Sequence, residues 1–341
     1  MSDQRILIVG AGALGITTAW FLQLSGAEIS FLVRPHRVEA LSRPQRMYSY
    51  NDHTIKTLER YALYSGTEEL TGKQFDFVLL TLDGAACRSD DGIATLRGLG
   101  QALAGSDAIL MICGVGIGLY DHIRQTTGYP DSQLMRGTMG MYAYQVGRAE
   151  MPLPPPADRQ RHDSADIAWF YMPKGTGFMV SSTPGTASKA FAELYNHNGF
   201  VRCNRVPTKM YEMFTNSYFP FTIASELDGW QGVEHLVNNK ALWHLCCQSQ
   251  REIMGLKQHG LFGKIVPLFM TDGRWAKTAL DMDEASRPID GTAFNKFHHG
   301  GKVLEQDVQV VENCLAAGVK DGREMGATRD LLAKWRNLRG L

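Results

Sequence analysis

Hydrophobic positions along the chain follow two regimes. Up to about Val206, short apolar runs of strand length alternate with amphipathic stretches, whereas beyond Pro207 only helical spacing remains. The first run, Arg5 to Val9, reads as a strand buried on both faces, and Thr17 to Leu24 reads as a helix. Glu28 to Val33 gives a second strand, and Tyr48 to Tyr64 alternates as short strands do. Phe75 to Leu82 and Ala108 to Ile112 read as buried parallel strands, with a helix between them from about Ala94 to Ala104. Gln133 to Tyr144 reads as a strand leading into a loop. Strands resume at Ile167 to Met172 and Gly177 to Ser181, then a helix from about Ala187 to Asn196 and a strand from Phe200 to Val206 close this half. Met151 to Ser164 is Pro-rich, then charged, and reads as an exposed connection with little to bury.

The second half is helical. Its expected elements are a long apolar stretch from Met210 to Leu227 and helices at about Leu236–Gln258, Gly263–Met270, Lys302–Ala317 and Gly322–Leu338. The pattern predicts an α/β fold: an N-terminal Rossmann-type doubly wound parallel sheet over 1–206, then an all-helical C-terminal domain over 207–341. Such a pairing places a substrate in the cleft between the domains.

The first strand runs straight into Gly10-Ala-Gly12-Ala13-Leu14-Gly15, a G-x-G-x-x-G spacing ahead of a helix. Gly10 allows the tight turn, Gly12 admits a pyrophosphate, and Gly15 lets helix and strand pack closely. The helix N-terminus then favours the anion. The residue ending the second strand selects the cofactor: a carboxylate holds the 2′-hydroxyl of NAD, whereas arginine accommodates a 2′-phosphate. Here the strand runs into Arg34-Pro-His-Arg37, with no carboxylate before Glu39, which points to NADP(H) with Arg34 ahead of Arg37. The tips after the later parallel strands, at Leu82 and at Cys113-Gly114, are expected to face the nicotinamide half.

A formal net charge of zero gives no electrostatic reason to expect nucleic acid or an anionic membrane as partner. The six cysteines lack any C-x-x-C pair, which argues against zinc or a disulfide scaffold and fits a reducing cytoplasm. No apolar run approaches membrane-spanning length, and Ile6 to Val9 is too short for a signal peptide, so a soluble intracellular protein is expected.

On these motifs the chain resembles the ketopantoate reductase family. Gly10-Ala-Gly12-Ala-Leu-Gly15 matches its opening glycines, Arg34 its phosphate-binding arginine, Gly114 and Gly116 the glycines after its fifth strand, and Gly137-Thr138 a following Gly-Thr. The resemblance implies an NADPH-dependent reductase of a small oxo acid or a related carbonyl or imine, and a homodimer. The reacting end departs from the family's pattern. Asp83 stands where the family has a lysine, Cys113 where it has an asparagine, Glu212 at its catalytic lysine and Pro220 at its second asparagine. Only Asn216, at the first asparagine, is kept. Lys302 falls where the family's substrate-binding glutamate belongs, and a slip of three residues would place Glu305 there.

Carbonyl reduction needs a donor to the forming alkoxide and groups that orient the substrate. Lys302 is the expected proton donor or oxyanion stabiliser, with Glu212 across the cleft orienting the substrate or receiving a proton. Glu212 itself could act as an acid only if burial raised its pKa well above about 4.3. Asn216 lies one turn after Glu212 on the same helix face. His298-His299-Gly300-Gly301 could present an imidazole near working pH, and His298 joins the candidates as a proton donor. No H-x-x-x-H spacing supports a metal. The rival reading is a non-catalytic NADPH-binding protein that kept the cofactor half and lost the chemistry.

Overall fold

In the computed structural model, which describes residues 4–172 and 175–341, the chain forms two compact units. One spans residues up to Gly114 and Gly118–Pro207; the other comprises Val115–Ile117 and Thr208–Leu341.

Among the described residues the first unit holds twelve strands: β1 (Arg5–Val9), β2 (Glu28–Leu32), β3 (Gln45–Ser49), β4 (Thr54–Leu58), β5 (Tyr61–Tyr64), β6 (Phe77–Leu80), β7 (Ile109–Ile112), β8 (Leu134–Met139), β9 (Met141–Gln145), β10 (Ile167–Tyr171), β11 (Thr176–Ser181) and β12 (Arg202–Val206). Eight of them form a sheet in the order β12-β11-β8-β7-β6-β1-β2-β5. The sheet is parallel except where β11 runs against β8. Ile6, Leu7 and Ile8 of β1 are fully buried, as expected of a central parallel strand covered on both faces. One face packs on the helix Ala13–Leu24 through Ile16, Trp20 and Phe21; the other packs on Leu96, Leu99 and Ile123.

The remaining four strands form a second sheet, ordered β4-β3-β10-β9. This changes two readings made from the pattern. Gln133 to Tyr144 is two strands in two sheets, β8 and β9. They part at Gly140, where a Cβ would stand 2.3 Å from the Thr176 carbonyl oxygen. The Pro-rich connection does bury something: it carries a short helix, Arg159–Asp163, whose His162 is buried. There the Tyr144 hydroxyl bonds His162 Nε2 at 2.9 Å and the Tyr50 hydroxyl at 2.5 Å.

The second unit is helical. The stretch from Met210 to Leu227 is two helices, Thr208–Ser217 and Phe219–Leu227. Pro220 sits in the first turn of the second, where it lacks an N–H and its ring would clash with the carbonyl one turn back. The expected helix over Leu236–Gln258 is likewise divided, into Val233–Asn238 and Lys240–Met254. Among the helices of more than five residues that went unread are Leu119–Thr127 in the first unit, and Asp272–Ala285 and Gly291–Phe297 in the second. Leu304–Lys320 and Gly326–Arg339 close the chain. The last is tied down by buried Glu226, which accepts from Trp335 Nε1 at 2.7 Å and pairs with Arg339. Among the described residues no helix is long and apolar enough to cross a membrane.

Candidate active site

The glycine turn follows β1. Gly10 has φ +102°, and its N–H donates to the Leu32 carbonyl at 3.0 Å, tying the turn to the end of β2. The helix starts at Ala13, four residues earlier than the pattern suggested, so Ala13, Leu14 and Gly15 form its first turn. That end carries no side-chain cap and no acidic residue, so its free amides and positive dipole end are uncompensated. Gly12 is exposed, and a Cβ built there meets nothing within 4 Å. At Gly15 a Cβ would stand 2.6 Å from the Gly10 carbonyl oxygen, so only glycine lets helix and turn approach this far. Open space above Gly12, next to an uncapped helix start, fits a pyrophosphate.

Arg34 stands at the end of β2, exposed, as the first residue of a tight turn over Pro35–Arg37. Neither Arg34 nor Arg37 makes an ion pair among the described residues, so both guanidinium groups are available to a phosphate. The tips after β6 and β7 pack together: a Cβ on Gly114 would meet Leu119 at 2.8 Å and the Leu82 carbonyl oxygen at 3.3 Å. Cys113 is buried beside them, and burial pushes its thiol far above the ordinary range, so it is a packing group and not a nucleophile. Asp83 accepts from the Ala86 N–H at 2.7 Å and caps the helix Gly84–Arg88. The residue that departs from the resemblance here has become a helix cap.

A hollow of about 490 Å³ also opens in this unit, lined by Arg97, Gln101, Ser106, Thr127 and Gln133 among others. It lies where the chain enters β7 and β8, at the opposite end of the parallel strands from the glycine turn. Ligands of such sheets bind beyond the carboxyl ends, so the hollow is not the candidate site.

In the second unit Glu212 and Asn216 lie one turn apart on Thr208–Ser217. Glu212 is paired with Lys209 at 3.3 Å on the same helix. Asn216 is buried, just before the break at Tyr218. The other candidates sit in a π turn, His298–Lys302, between Gly291–Phe297 and Leu304–Lys320. Lys302 is exposed and forms no ion pair among the described residues, and Glu305 is exposed at the start of the next helix. Lys302 ends this turn and does not begin a helix, as the pattern had suggested.

His298 stacks on Phe294, with ring centroids 5.6 Å apart and planes 18° apart. Burial, then the neighbouring His299 and Lys302, push its pKa down to about 3, so it is neutral at working pH. It has no proton to spare for a donor's role.

His299 has a different setting. Its Nδ1 lies 2.6 Å from Asp307 Oδ2, and its ring packs on Tyr218 at 5.6 Å and edge-on to His298 at 4.8 Å. Asp307 is fully buried, and its Oδ1 has no hydrogen-bond partner among the described residues. Burial pushes the Asp307 carboxyl above its ordinary range, and the contacts with His299 and then Gln306 pull it back in part. Asp307 was missed in the sequence, though a signal was there. It falls in the apolar stripe of its helix with Val310, Val311 and Cys314, where a carboxylate does not belong without a partner. No group of three or more metal-ligating side chains occurs among the described residues.

Residues 6–153 match the family model described as Ketopantoate reductase PanE/ApbA. No curated protein sequence matches the chain. Among solved structures, a 2-dehydropantoate 2-reductase from Geobacter metallireducens GS-15 is 19% identical, with a TM-score of 0.71 over 98% of this chain and 99% of that one. One from Methylococcus capsulatus is 16% identical, with a TM-score of 0.70 over 98% of this chain and 96% of that one. D-mandelate dehydrogenase, solved with NADH and anilino(oxo)acetate, is 12% identical, with a TM-score of 0.63 over 98% and 97% of the two chains. At these identities what is shared is the fold.

Proposed function

We propose, on the premise that residues 6–153 carry the ketopantoate reductase PanE/ApbA domain, that the chain is an NADPH-dependent reductase of a small oxo acid or a related carbonyl or imine. The observation that carries this reading is the turn after β1: a left-handed Gly10, open space at Gly12 and an uncapped helix start together. Gly10, Gly12 and the first-turn amides of Ala13, Leu14 and Gly15 would hold the pyrophosphate. Arg34, with Arg37 beside it, would hold the 2′-phosphate. Leu82, Cys113 and Gly114 would line the nicotinamide side. Bound NADPH supplies the hydride. The chain's own residues then have to orient the substrate and protonate the new alkoxide, and the polar groups of the second unit are the candidates. Asn216 and the exposed ammonium of Lys302 can bind the substrate's carboxylate or carbonyl. The homodimer implied by the resemblance belongs to the same proposal, and light scattering reads it.

Nicotinamide fluorescence on titrating NADPH, followed by loss of 340 nm absorbance with a panel of 2-oxo acids, 3-oxo acids and imines, tests the reading. Saturable binding and turnover of at least one 2-oxo acid are expected. Binding without turnover across the panel would instead favour a non-catalytic NADPH-binding protein. The commitment of Asp83 to a helix cap and the pairing of Glu212 with Lys209 speak for that second reading. Absence of binding would remove both.

A further inference from the structure

Four histidines among the described residues lie within ion-pair distance of an aspartate, and one of the pairs differs in kind. His235 with Asp228, and His244 with Asp272, have imidazole side chains more than half exposed, and His162 meets an exposed Asp163. Pairs of that sort contribute little. In the His299–Asp307 pair the side chains are 15% and 0% exposed. Burying a carboxylate is costly unless it is well satisfied, and Asp307 Oδ1 makes no hydrogen bond among the described residues. A fully buried carboxylate whose short bond goes to an imidazole, with the Gln306 side chain as its other contact, is a poor structural device. It is, however, what fixes an imidazole's tautomer and stabilises its protonated form.

The surrounding geometry directs that imidazole. Nδ1 is committed to Asp307, while Nε2 makes no hydrogen bond among the described residues. The ring is held between Tyr218, two residues after Asn216, and the neutral His298. The backbone carrying it is a π turn, a feature that recurs at functional sites. Gly300 follows directly and lies against the Trp230 indole, where a Cβ would come within 2.9 Å. The titratable groups in contact with His299 are Asp307 from the following helix, Tyr218 from the helix break and His298 from its own turn, while Lys302 acts on His298.

We infer that His299, oriented by the buried Asp307, is the proton donor of the reductase reaction. The inference rests on the reading under Proposed function. As the substrate carbon accepts hydride from the nicotinamide, the carbonyl π pair moves onto oxygen. That oxygen takes the proton from Nε2 of the protonated imidazole. The substrate is reduced, NADPH is oxidised, and His299 is left neutral with its remaining proton on Nδ1, facing Asp307. Asp307 acts as a positioning residue, through His299 alone.

The test combines kinetics with a readout independent of turnover. His299→Gln is expected to lower turnover of an accepted oxo acid by about 100-fold or more with NADPH affinity unchanged. Imidazole added to His299→Ala is expected to restore part of the rate. Nitrogen NMR of the wild-type–NADPH complex is expected to show neutral His299 protonated on Nδ1 with Nε2 bare. Asp307→Leu should give a mixture of tautomers, and oxamate should shift the Nε2 resonance of the wild type. Turnover of His299→Gln within about threefold of wild type, or a wild-type proton on Nε2 with Nδ1 bare, overturns the inference. If the wild type reduces nothing in the panel, the reductase reading fails separately. The oxamate shift then decides whether His299 faces a ligand, and its absence overturns that role.

Discussion

Thr81 Oγ1 donates to the Val9 carbonyl at 2.9 Å and lies 3.1 Å from the Gly10 carbonyl, so a hydroxyl just past β6 fixes the turn after β1. Thr81→Val keeps the shape and removes the hydroxyl, leaving the Gly10 oxygen without that partner. It is expected to destabilise the protein by about 1–2 kcal/mol in urea denaturation. NADPH affinity should fall with it, because the turn is no longer held. Unchanged affinity would mean that the turn holds its shape without the Thr81 bond.

Arg34 is exposed at the strand end with no ion pair to lose, so Arg34→Ala should leave stability unchanged. Its expected effect is on cofactor choice. A charge-assisted bond to phosphate is worth about 1.5–3 kcal/mol, so NADPH affinity should fall about tenfold or more while NADH affinity barely moves. Competitive titration of both nucleotides measures the ratio, and a parallel loss of both would refute the assignment.

His298 makes the fold sensitive to mild acid. Its folded pKa is pushed down to about 3, whereas the unfolded chain titrates near about 6.5. Between those values the unfolded state binds a proton that the folded state refuses, so stability falls as pH drops from 7 towards 4. His298→Phe keeps the stacking on Phe294 and removes that proton. Denaturant melts at pH 7.5 and 5 should show the variant losing less stability than the wild type. Buried His259, also shifted down, contributes a slope of the same sign to both proteins. Equal losses would contradict the downward shift at His298.

Glu252 caps the last helix, accepting from Ala327 N–H at 3.0 Å, Thr328 N–H at 2.8 Å and the Thr328 hydroxyl at 2.7 Å. Removing an N-terminal cap costs about 0.5–2 kcal/mol, so Glu252→Ala should sit at the upper end of that range. Thermal melts at neutral pH check it, and a change below about 0.3 kcal/mol would show that the cap is redundant.

Much of the first unit could be read from the chain. Strands buried on both faces appear as unbroken apolar runs, and Gly10 and Gly15 mark the tight turn and the close approach of the helix. What escaped had a physical reason. Asp272–Ala285 contains no buried residue, so no apolar stripe marked it as a helix. The second sheet pairs β3 with β10 across more than a hundred residues, a contact no local pattern encodes. The Tyr218 break was written in Pro220 but hidden by the apolar residues around it. The His298-His299 pair stood out in the sequence. Which imidazole meets a buried carboxylate depended on Asp307, eight residues on and across a π turn, beyond the reach of spacing rules for a regular helix.

Gly12 offers the most direct measurement. Its φ of −81° suits any L-residue and its Cα faces open space, so Gly12→Val should fold with a melting temperature close to that of the wild type. The valine would occupy the room assigned to the pyrophosphate. Nicotinamide fluorescence is predicted to show saturable NADPH binding to the wild type and none to the equally folded variant. Equal binding by both proteins would contradict the account.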